Sequence, residues 1–441
     1  MDFILIPGMN VPTCKKTKTH HSLLTRQASS SNSRGDQCMS SVMKLPENVI
    51  AHILSYLPVK SLLLSKCVSR LWCSLIESEY FIKLHLRNSV HASNGAKLGL
   101  ILQDTCFLTP KIFSVADVGS PNECVELGGG PFGYRTRLLG SCNGLLYVCQ
   151  SDMEDSVQYK RSGKYYVSPE IALWNPLTKK SHILPLAPIQ VTSWSPLYGI
   201  LDSLKVEYAF GNDSINDDYK VLRIVQQIIN PGMADPDKFI LKTMVYSLKA
   251  NSWREIAAPS YLHYIVSRES VLIRESVLIR EAFHWLPIQG HGLNIVAFDI
   301  RREEYCTVPL PNLESKSSPR YRNLGVLGQC LSLASSSVHD VEIWVMKEYG
   351  MKDSWVRLLL LEQSSSLCYR SGPYDLIPLA FVKDDNDDHK VLLKWMYDRS
   401  LIWYDLKLKT YENVQIHGAP WLYQSYIFVG SLVSPLPPVM Q

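Results

Sequence analysis

Apolar residues recur at helical spacing in three short stretches between residues 45 and 75. The first stretch ends at Leu57; Pro46 suits its first helical turn, and Pro58 stops it. Two more apolar stripes follow, one directly after Pro58 and one that ends at Leu75. This pattern predicts three short helices with more apolar surface than so short a segment can bury. The surplus indicates either a partner protein or packing against the rest of the same chain.

The pattern changes at about residue 98 and keeps its new character to residue 436. Short apolar runs alternate there with clusters of Gly, Pro, Asn and Asp, which is typical of an all-β domain. Five segments share one plan, in which an apolar strand, a polar turn and a second strand follow one another. They are residues 171–185, 244–259, 295–311, 342–361 and 401–416. Further hairpins lie between them, at 142–149, 219–225 and 378–395. Two hairpins per repeat make a four-stranded blade, so the repeat predicts a β-propeller of about six to seven blades.

Several strings in the helical segment together form a recognisable pattern. They are the opening Leu45-Pro46, the string LPVKSL that starts at Leu57, and Cys67-Val68 followed four residues later by Trp72. These strings resemble the F-box. The resemblance implies docking on a Skp-type adaptor, which is connected through a cullin and a RING subunit to a ubiquitin-conjugating enzyme.

The resemblance also implies which side chains contact the adaptor. They are the apolar and motif residues of the three predicted helices: Leu45, Pro46, Ile50, Ile53, Leu54, Leu57, Pro58, Val59, Leu62, Leu63, Cys67, Val68 and Trp72. We expect Leu57, Pro58 and Leu62 to form the centre of this contact.

The later part of the chain carries a second set of specific strings. Among them are LGSCNGLLYV, LWNPLTKK, VYSLKANSWREI, FDIRREEY and LGVLGQCLSL, in this order. They resemble the plant F-box-associated interaction domain, and the whole chain is similar to the plant F-box/kelch-like group that includes the constitutive-expresser-of-defence-genes type. The expected fold class is α+β and multidomain, with a small three-helix F-box followed by an all-β kelch-like β-propeller. We expect a disordered extension over 1–43, the F-box over 44–89 and a target-binding propeller over 96–436.

Composition excludes several other classes of protein. The net charge is only +4 over 441 residues and no dense block of Lys and Arg occurs, so nucleic acid is not an expected partner. No apolar run is long enough to span a membrane. The N-terminus lacks the marks of a secretory signal, and the extension, which is basic and poor in acids, leaves an organelle transit peptide as the alternative. We otherwise expect the cytoplasm, the nucleus or both, with the eleven cysteines reduced.

No catalytic, metal or cofactor site is predicted. The cysteines form no CxxC pair. The string GGGPFG at 128–133 satisfies GxGxxG, but Pro131 and the residues after it predict a loop that enters a strand rather than a nucleotide-binding helix. The acidic run at 384–389 has calcium-loop spacing, but His389 stands where glycine is required, so we expect a hairpin turn. His284, beside Trp285, is predicted to pack within a strand.

Five tryptophans recur in the repeated segments and are predicted to pack between blades rather than to recognise a target. They are Trp174, Trp253, Trp344, Trp355 and Trp403.

The sequence therefore predicts the substrate-recognition subunit of an SCF-type ubiquitin ligase, a non-catalytic receptor that holds a target near the charged conjugating enzyme. No residue is assigned to target binding, because propeller specificity lies in loops. Two alternatives stay open at this point. One is an F-box protein that acts without ubiquitin transfer, and the other is a kelch-like propeller enzyme with its active site in the central channel.

One segment departs from the family pattern, because RESVLI at 268–273 is repeated at 274–279. Six is an even number, so the insertion keeps every side chain of a strand on its original face. The duplication predicts either a longer protruding hairpin or a change without functional value.

We predict that deleting residues 274–279 leaves the melting temperature within a few degrees of wild type, because the alternation of faces is preserved. Deleting five residues instead turns the charged side chains of one strand end inward, where unpaired charges cost several kcal/mol. That variant should lose soluble expression. Soluble yield of the two variants is the first measurement and thermal unfolding of the soluble protein the second; equal yield and stability would show that this segment is no registered strand.

Overall fold

The computed structural model describes residues 45–93, 99–104, 111–115, 117, 124–150, 157–160, 164–167, 170–191, 204–228, 239–259, 277–286, 294–313, 321–337, 340–362, 376–383, 389–395, 400–420 and 423–438. The predicted N-terminal extension, the acidic run up to residue 388 and most of the RESVLI duplication lie outside these residues.

The chain divides into two compact units, Met1–Ile50 and Ala51–Gln441. In the first unit, the carbonyl oxygen of Pro46 accepts hydrogen bonds from the N–H groups of Val49 and Ile50, at 3.0 and 3.1 Å. This is the first turn of a helix that begins directly after proline, as the sequence predicts.

Four helices are described near the start of the chain: α1 (Glu47–Leu54), α2 (Val59–Ser65), α3 (Arg70–Glu77) and α4 (Glu79–Ser93). Pro58 precedes α2 and its carbonyl accepts from the N–H of Leu62 at 3.1 Å. The hydroxyl of Ser69 caps α3 by accepting from the N–H of Trp72 at 3.1 Å. The three predicted helices are confirmed, and the amphipathic segment after them forms α4.

The rest of the described chain forms twenty-seven strands. In chain order they are β1 (Gly99–Asp104), β2 (Ile112–Val115), β3 (Val125–Glu126), β4 (Thr136–Cys142), β5 (Leu145–Gln150), β6 (Val157–Lys160), β7 (Lys164–Val167), β8 (Ile171–Asn175), β9 (Lys180–Ile183), β10 (Ile189–Val191), β11 (Leu204–Asp213), β12 (Asp218–Ile228), β13 (Phe239–Ser247), β14 (Ser252–Ile256), β15 (Val277–Ile279), β16 (Ala282–Trp285), β17 (Ile295–Asp299), β18 (Glu304–Val308), β19 (Tyr321–Leu327), β20 (Cys330–Ser336), β21 (Asp340–Met346), β22 (Trp355–Glu362), β23 (Leu376–Lys383), β24 (His389–Trp395), β25 (Leu401–Asp405), β26 (Thr410–Asn413) and β27 (Tyr423–Phe428).

Within the described residues these strands form six four-stranded antiparallel sheets, the blades of a propeller. Blade 1 has the strand order β27-β1-β2-β3, blade 2 the order β4-β5-β8-β9, and blades 3 to 6 take the strands β11–β14, β15–β18, β19–β22 and β23–β26. A separate three-stranded sheet, β10-β7-β6, is inserted at blade 2. The prediction of a small helical domain followed by a β-propeller is confirmed, and the described sheets make six blades.

The last strand of the chain completes the first blade. β27 pairs antiparallel with β1 along its whole length, from Phe428 opposite Gly99 to Tyr423 opposite Asp104. This pairing closes the ring, because blade 1 takes its innermost strand from the opposite end of the sequence.

The core of the propeller lies between blades rather than within one domain centre. Each of its six apolar clusters contains buried residues from two neighbouring blades. Leu102 of blade 1 and Leu392 of blade 6, for example, share one cluster, and Ile101 of blade 1 shares another with Leu146 of blade 2. The clusters therefore run around a closed ring, in which every blade stabilises two others.

The repeated sequence plan corresponds to a repeated turn. Asn175, Asp299 and Asp405 end the third strands of blades 2, 4 and 6. The Oδ1 atom of each accepts hydrogen bonds from the backbone N–H groups two and three residues later, at 2.8 to 3.2 Å. The residue four positions after the cap has a φ between 55° and 58° in all three turns. A short polar side chain that accepts from its own turn is thus the physical basis of the repeat.

The tryptophans pack between blades, as predicted, but they occupy two kinds of position. The indole N–H of Trp253 donates to the carbonyl of Pro185, and that of Trp355 to the carbonyl of Pro309, both at 2.9 Å. Both tryptophans lie on the fourth strand of their blade, and both prolines follow the fourth strand of the preceding blade. Trp174, Trp344 and Trp403 instead lie on third strands and contact the clusters between blades.

The GGGPFG segment has the structure that the sequence predicts. Gly130 and Gly133 form an antiparallel bridge, and the chain then enters β4 rather than a helix. The hydroxyl of Thr136 accepts from the N–H of Phe132 at 3.1 Å and stabilises this tight loop.

His284 lies on β16 and is fully buried, as predicted. Its Nδ1–H donates to the carbonyl of Val277 at 3.1 Å, and its Nε2 accepts from the hydroxyl of Tyr349 at 2.6 Å. Burial lowers the pKa of His284 to about 4, because the charged imidazolium would lose its hydration.

We predict that this histidine makes the protein less stable in mild acid. The pKa of His284 in the folded state lies below that of an unfolded histidine, about 6.5, so protons bind preferentially to the unfolded chain. The contribution of His284 to the free energy of unfolding is complete above about pH 6.5 and falls by about 3 kcal/mol towards pH 4. Urea unfolding at pH 7 and pH 5 measures the loss.

The matched variants are His284→Gln and His417→Gln, the second at an exposed histidine. His284→Gln should reduce the difference between the two pH values, whereas His417→Gln should leave it unchanged. Part of the stability difference between pH 7 and pH 5 should persist in both variants, since burial also lowers the pKa of His85. An undiminished difference in His284→Gln would contradict the prediction.

Candidate functional site

The thirteen residues predicted to contact an adaptor fall into three groups by exposure. The exposed group contains Leu45, Pro46, Ile53, Pro58, Cys67 and Val68, and the partly buried group contains Ile50, Leu57, Leu63 and Trp72. The buried group contains Leu54, Val59 and Leu62.

The buried group supports the fold of the free chain. Leu62, which the sequence analysis assigns to the centre of the contact, has no exposed surface, and Leu54 and Val59 are nearly as buried. These side chains stabilise the packing of the helices and are not available to a partner without rearrangement. The chain therefore buries more of the apolar surface of these helices by itself than the sequence pattern suggests.

Between residues 45 and 75, three further apolar side chains are more than half exposed but absent from the predicted set: Tyr56, Leu64 and Leu71. For Leu64 the sequence did carry a signal. Residues 62 to 64 are three consecutive leucines, and consecutive positions of a helix point in directions about 100° apart. Since Leu62 is buried, Leu64 on the same helix must point away from it.

The helices are connected to one another by polar contacts. Lys66, just after α2, forms a salt bridge with Glu77 of α3 at 3.1 Å. The Nε2–H of His85 on α4 donates to the carbonyl of Leu57 at 3.1 Å, and the side chain of Asn88 donates to the hydroxyl of Ser55 at 2.7 Å. Burial lowers the pKa of His85, which favours its neutral form. α4 therefore fixes the turn between α1 and α2.

The same helix joins the helical part to the propeller. Ile82 and Leu86 of α4 pack against the apolar cluster that blades 2 and 3 share. Next to them, Lys83 forms salt bridges with Glu79 at 2.7 Å and with Asp217 of blade 3 at 3.1 Å. Both pairs are solvent-exposed and contribute little, so the apolar contacts provide most of the attachment.

The helices sit at one end of blades 2 and 3. Asp217, which pairs with Lys83 of α4, lies in the turn between the first two strands of blade 3. Leu177 lies in the turn between the last two strands of blade 2, and both Leu177 and Val59 of α2 lie close to Gly430. Antiparallel order requires the connection between second and third strands to lie at the opposite end. That connection of blade 2 carries β6 and β7, which pair with β10. The inserted sheet is therefore at the end of blade 2 away from the helices.

None of the described His, Cys, Asp and Glu side chains gather in groups of three or more that could hold a metal ion. No helix in the described part of the chain is long and apolar enough to cross a membrane.

Some solved structures are similar to this chain at low sequence identity. They include the nidogen/laminin complex, with 13% identity over 76% of this chain and 99% of that chain and a TM-score of 0.37. TolB from Acinetobacter baumannii matches with 9% identity over 80% of this chain and 73% of that chain, with a TM-score of 0.39.

Curated relatives resemble the chain over most of its length. F-box protein CPR1 of Arabidopsis thaliana is 29% identical over 88% of this chain and 88% of its own. F-box/kelch-repeat protein At3g23880 of the same plant is 28% identical over 73% of this chain and 80% of its own. A model of the F-box domain matches residues 42–84, and a model of the F-box associated beta propeller domain matches residues 133–428. The chain thus belongs to the family of F-box proteins with an F-box associated β-propeller.

Proposed function

We propose that this protein is the substrate-recognition subunit of an SCF-type ubiquitin ligase. In this function the helices bind a Skp-type adaptor, which connects them to a cullin and a RING subunit, and the propeller binds the target protein. The observation that carries the proposal is a set of exposed apolar side chains on F-box helices that are attached to a closed propeller by buried contacts.

The adaptor side of the proposal is supported by exposure. Leu64 and Val68 are 68% and 65% exposed, and Ile53, Tyr56 and Leu71 are more than half exposed. Several large apolar side chains on so few helices are unusual for a surface that faces only water. A protein partner would remove them from water at a gain of roughly 25 cal/mol per Å².

The target side is supported by the division of the propeller into two ends. The end of blades 2 and 3 that carries the helices has tight, capped turns, such as the one at Asn175. The inserted sheet of β6, β7 and β10 lies at the other end of blade 2 and enlarges the surface there. We propose that the target binds at this second end, where the attachment of the helices leaves the strand ends free.

The proposed mechanism is proximity. A receptor that holds adaptor and target on one body raises the effective concentration of target lysines near the conjugating enzyme. The thioester chemistry belongs to other subunits, so the receptor needs no catalytic group of its own. The proposed location is the cytoplasm, the nucleus or both.

We predict that Leu64→Ala combined with Val68→Ala lowers affinity for the adaptor at least tenfold, roughly 1.4 kcal/mol or more, because exposed anchors at an interface dominate binding. The melting temperature should stay near that of wild type, since both side chains are exposed. Surface plasmon resonance with a purified adaptor measures the affinity.

Two control variants separate binding from folding. Leu408→Ala removes a leucine of equal exposure, 67%, from a turn of blade 6 and should change nothing. Leu62→Ala should instead cost roughly 2–5 kcal/mol of folding stability, because it leaves a cavity. Wild-type affinity in the Leu64/Val68 double variant would overturn the proposed docking surface.

Capture from plant cells after proteasome inhibition tests the complete function. Wild-type protein should co-purify with adaptor, cullin, RING subunit and a ubiquitinated target, while the Leu64/Val68 variant should retain the target without the ligase subunits. A target that is captured with the ligase but is neither modified nor stabilised by proteasome inhibition would favour an F-box protein that acts without ubiquitin transfer.

A further inference from the structure

The chain that follows the closing strand is buried although it forms no strand of its own. Ser431, Leu432 and Val433 follow β27 after two intervening residues and are all less than 9% exposed. Val433 belongs to the apolar cluster of blades 2 and 3, the same cluster that Ile82 and Leu86 of α4 contact. The buried part of the C-terminal segment, residues 429–438, thus contributes to the apolar cluster on which α4 packs.

Asn175 holds this segment through its side-chain amide. Its Nδ2 donates to the carbonyl of Ser431 at 3.0 Å and to the carbonyl of Val433 at 2.8 Å. Its Oδ1 accepts from the N–H groups of its own turn. All the hydrogen-bonding groups of this buried amide are therefore in use, with two partners on each side.

The equivalent positions of other blades explain why an asparagine is needed here. Asp299 and Asp405 cap the same turn with a carboxylate, so capping alone does not require an amide. A carboxylate has no N–H to donate and would repel two carbonyl oxygens. Among these three turns, the C-terminal segment passes the one in blade 2. The capping residue of that turn, Asn175, is the one that can donate hydrogen bonds.

The rest of the segment fits closely between the two parts. The hydroxyl of Ser431 donates to the carbonyl of Asn143 at 2.6 Å. Gly144, with a φ of +80°, lies so near that a Cβ there would be 2.4 Å from the Ser431 hydroxyl. A Cβ on Gly430 would be 3.0 Å from Leu177 and 3.7 Å from Val59 of α2. The segment is thus hydrogen-bonded to blade 2, and at Gly430 it passes close to Val59 of α2.

We propose that Asn175 and the C-terminal segment form a clamp that fixes the orientation of the F-box helices on the propeller. The clamp links closure of the ring to the position of the helices on the propeller, because the segment starts where β27 ends. Its consequence for ubiquitin transfer rests on the proposed function: a fixed orientation would keep adaptor and target at a defined separation. Asn175 is then a positioning residue, which contacts neither adaptor nor target.

The test is Asn175→Asp in the full chain, which keeps the turn cap found at Asp299 and Asp405 but removes both donors to the segment. Hydrogen exchange of the α4 amides is the first measurement, and we expect it to become at least tenfold faster while β20 and β21 of blade 5 keep wild-type protection. The second is the distance distribution between spin labels attached at exposed positions 74 and 351, which should broaden. Asp405→Asn, the reverse change in blade 6, is the matched control and should alter neither.

Ser431→Ala is a second variant, which removes the bond to Asn143 without adding charge and should speed exchange of α4 in the same direction. Wild-type exchange and distances in both variants would overturn the clamp. Adaptor affinity should be unchanged in Asn175→Asp, and transfer to the captured target should be slower. Failure of the wild-type protein to bind adaptor would overturn the proposed function, whereas the exchange and distance measurements would still decide on the clamp.

Discussion

Closure of the ring by β27 is the interaction on which the rest of the structure depends. Every apolar cluster of the propeller lies between two blades, so no blade can bury both of its faces alone. Blade 1 becomes a complete four-stranded sheet only when Tyr423–Phe428 pairs with Gly99–Asp104. Without this pairing the clusters on both sides of blade 1 lose buried residues such as Tyr426 and Phe428, and β1 exposes an edge.

Contacts of this kind join residues far apart in sequence, and forming them requires closing a very long loop. β27 and the segment after it therefore stabilise two parts of the structure. β27 must pair with β1 to complete blade 1, and the segment that leaves β27 then bonds to Asn175 and adds Val433 to the cluster on which α4 packs. Completion of the ring therefore also brings this segment to the part of the propeller on which α4 packs.

The sequence alone predicted the helices, the all-β repeat, the packing role of the tryptophans and the burial of His284, because these depend on local pattern. It could not separate exposed residues from buried residues in the helical part. Leu62 and Leu64 are equally apolar, and which one faces inward depends on how α4 packs, through His85 and Asn88, onto the preceding helices. The special role of Asn175 was also beyond the pattern, since asparagine and aspartate cap this turn equally well and the carbonyls that distinguish them belong to Ser431 and Val433.

The duplicated segment shows how much a ring can tolerate. β15 is only three residues long, and the turn that follows it has Arg280 and Glu281 at positive φ, where asparagine and glycine are favoured. Such a turn costs of the order of 1 kcal/mol or more per residue. Contacts from outside the hairpin offset this cost. Lys220 of blade 3 reaches Glu303 and the carbonyl of Ile300 in blade 4, both at 2.9 Å, and Tyr349 of blade 5 bonds to His284. A blade with a weak first hairpin is thus held in place by both of its neighbours.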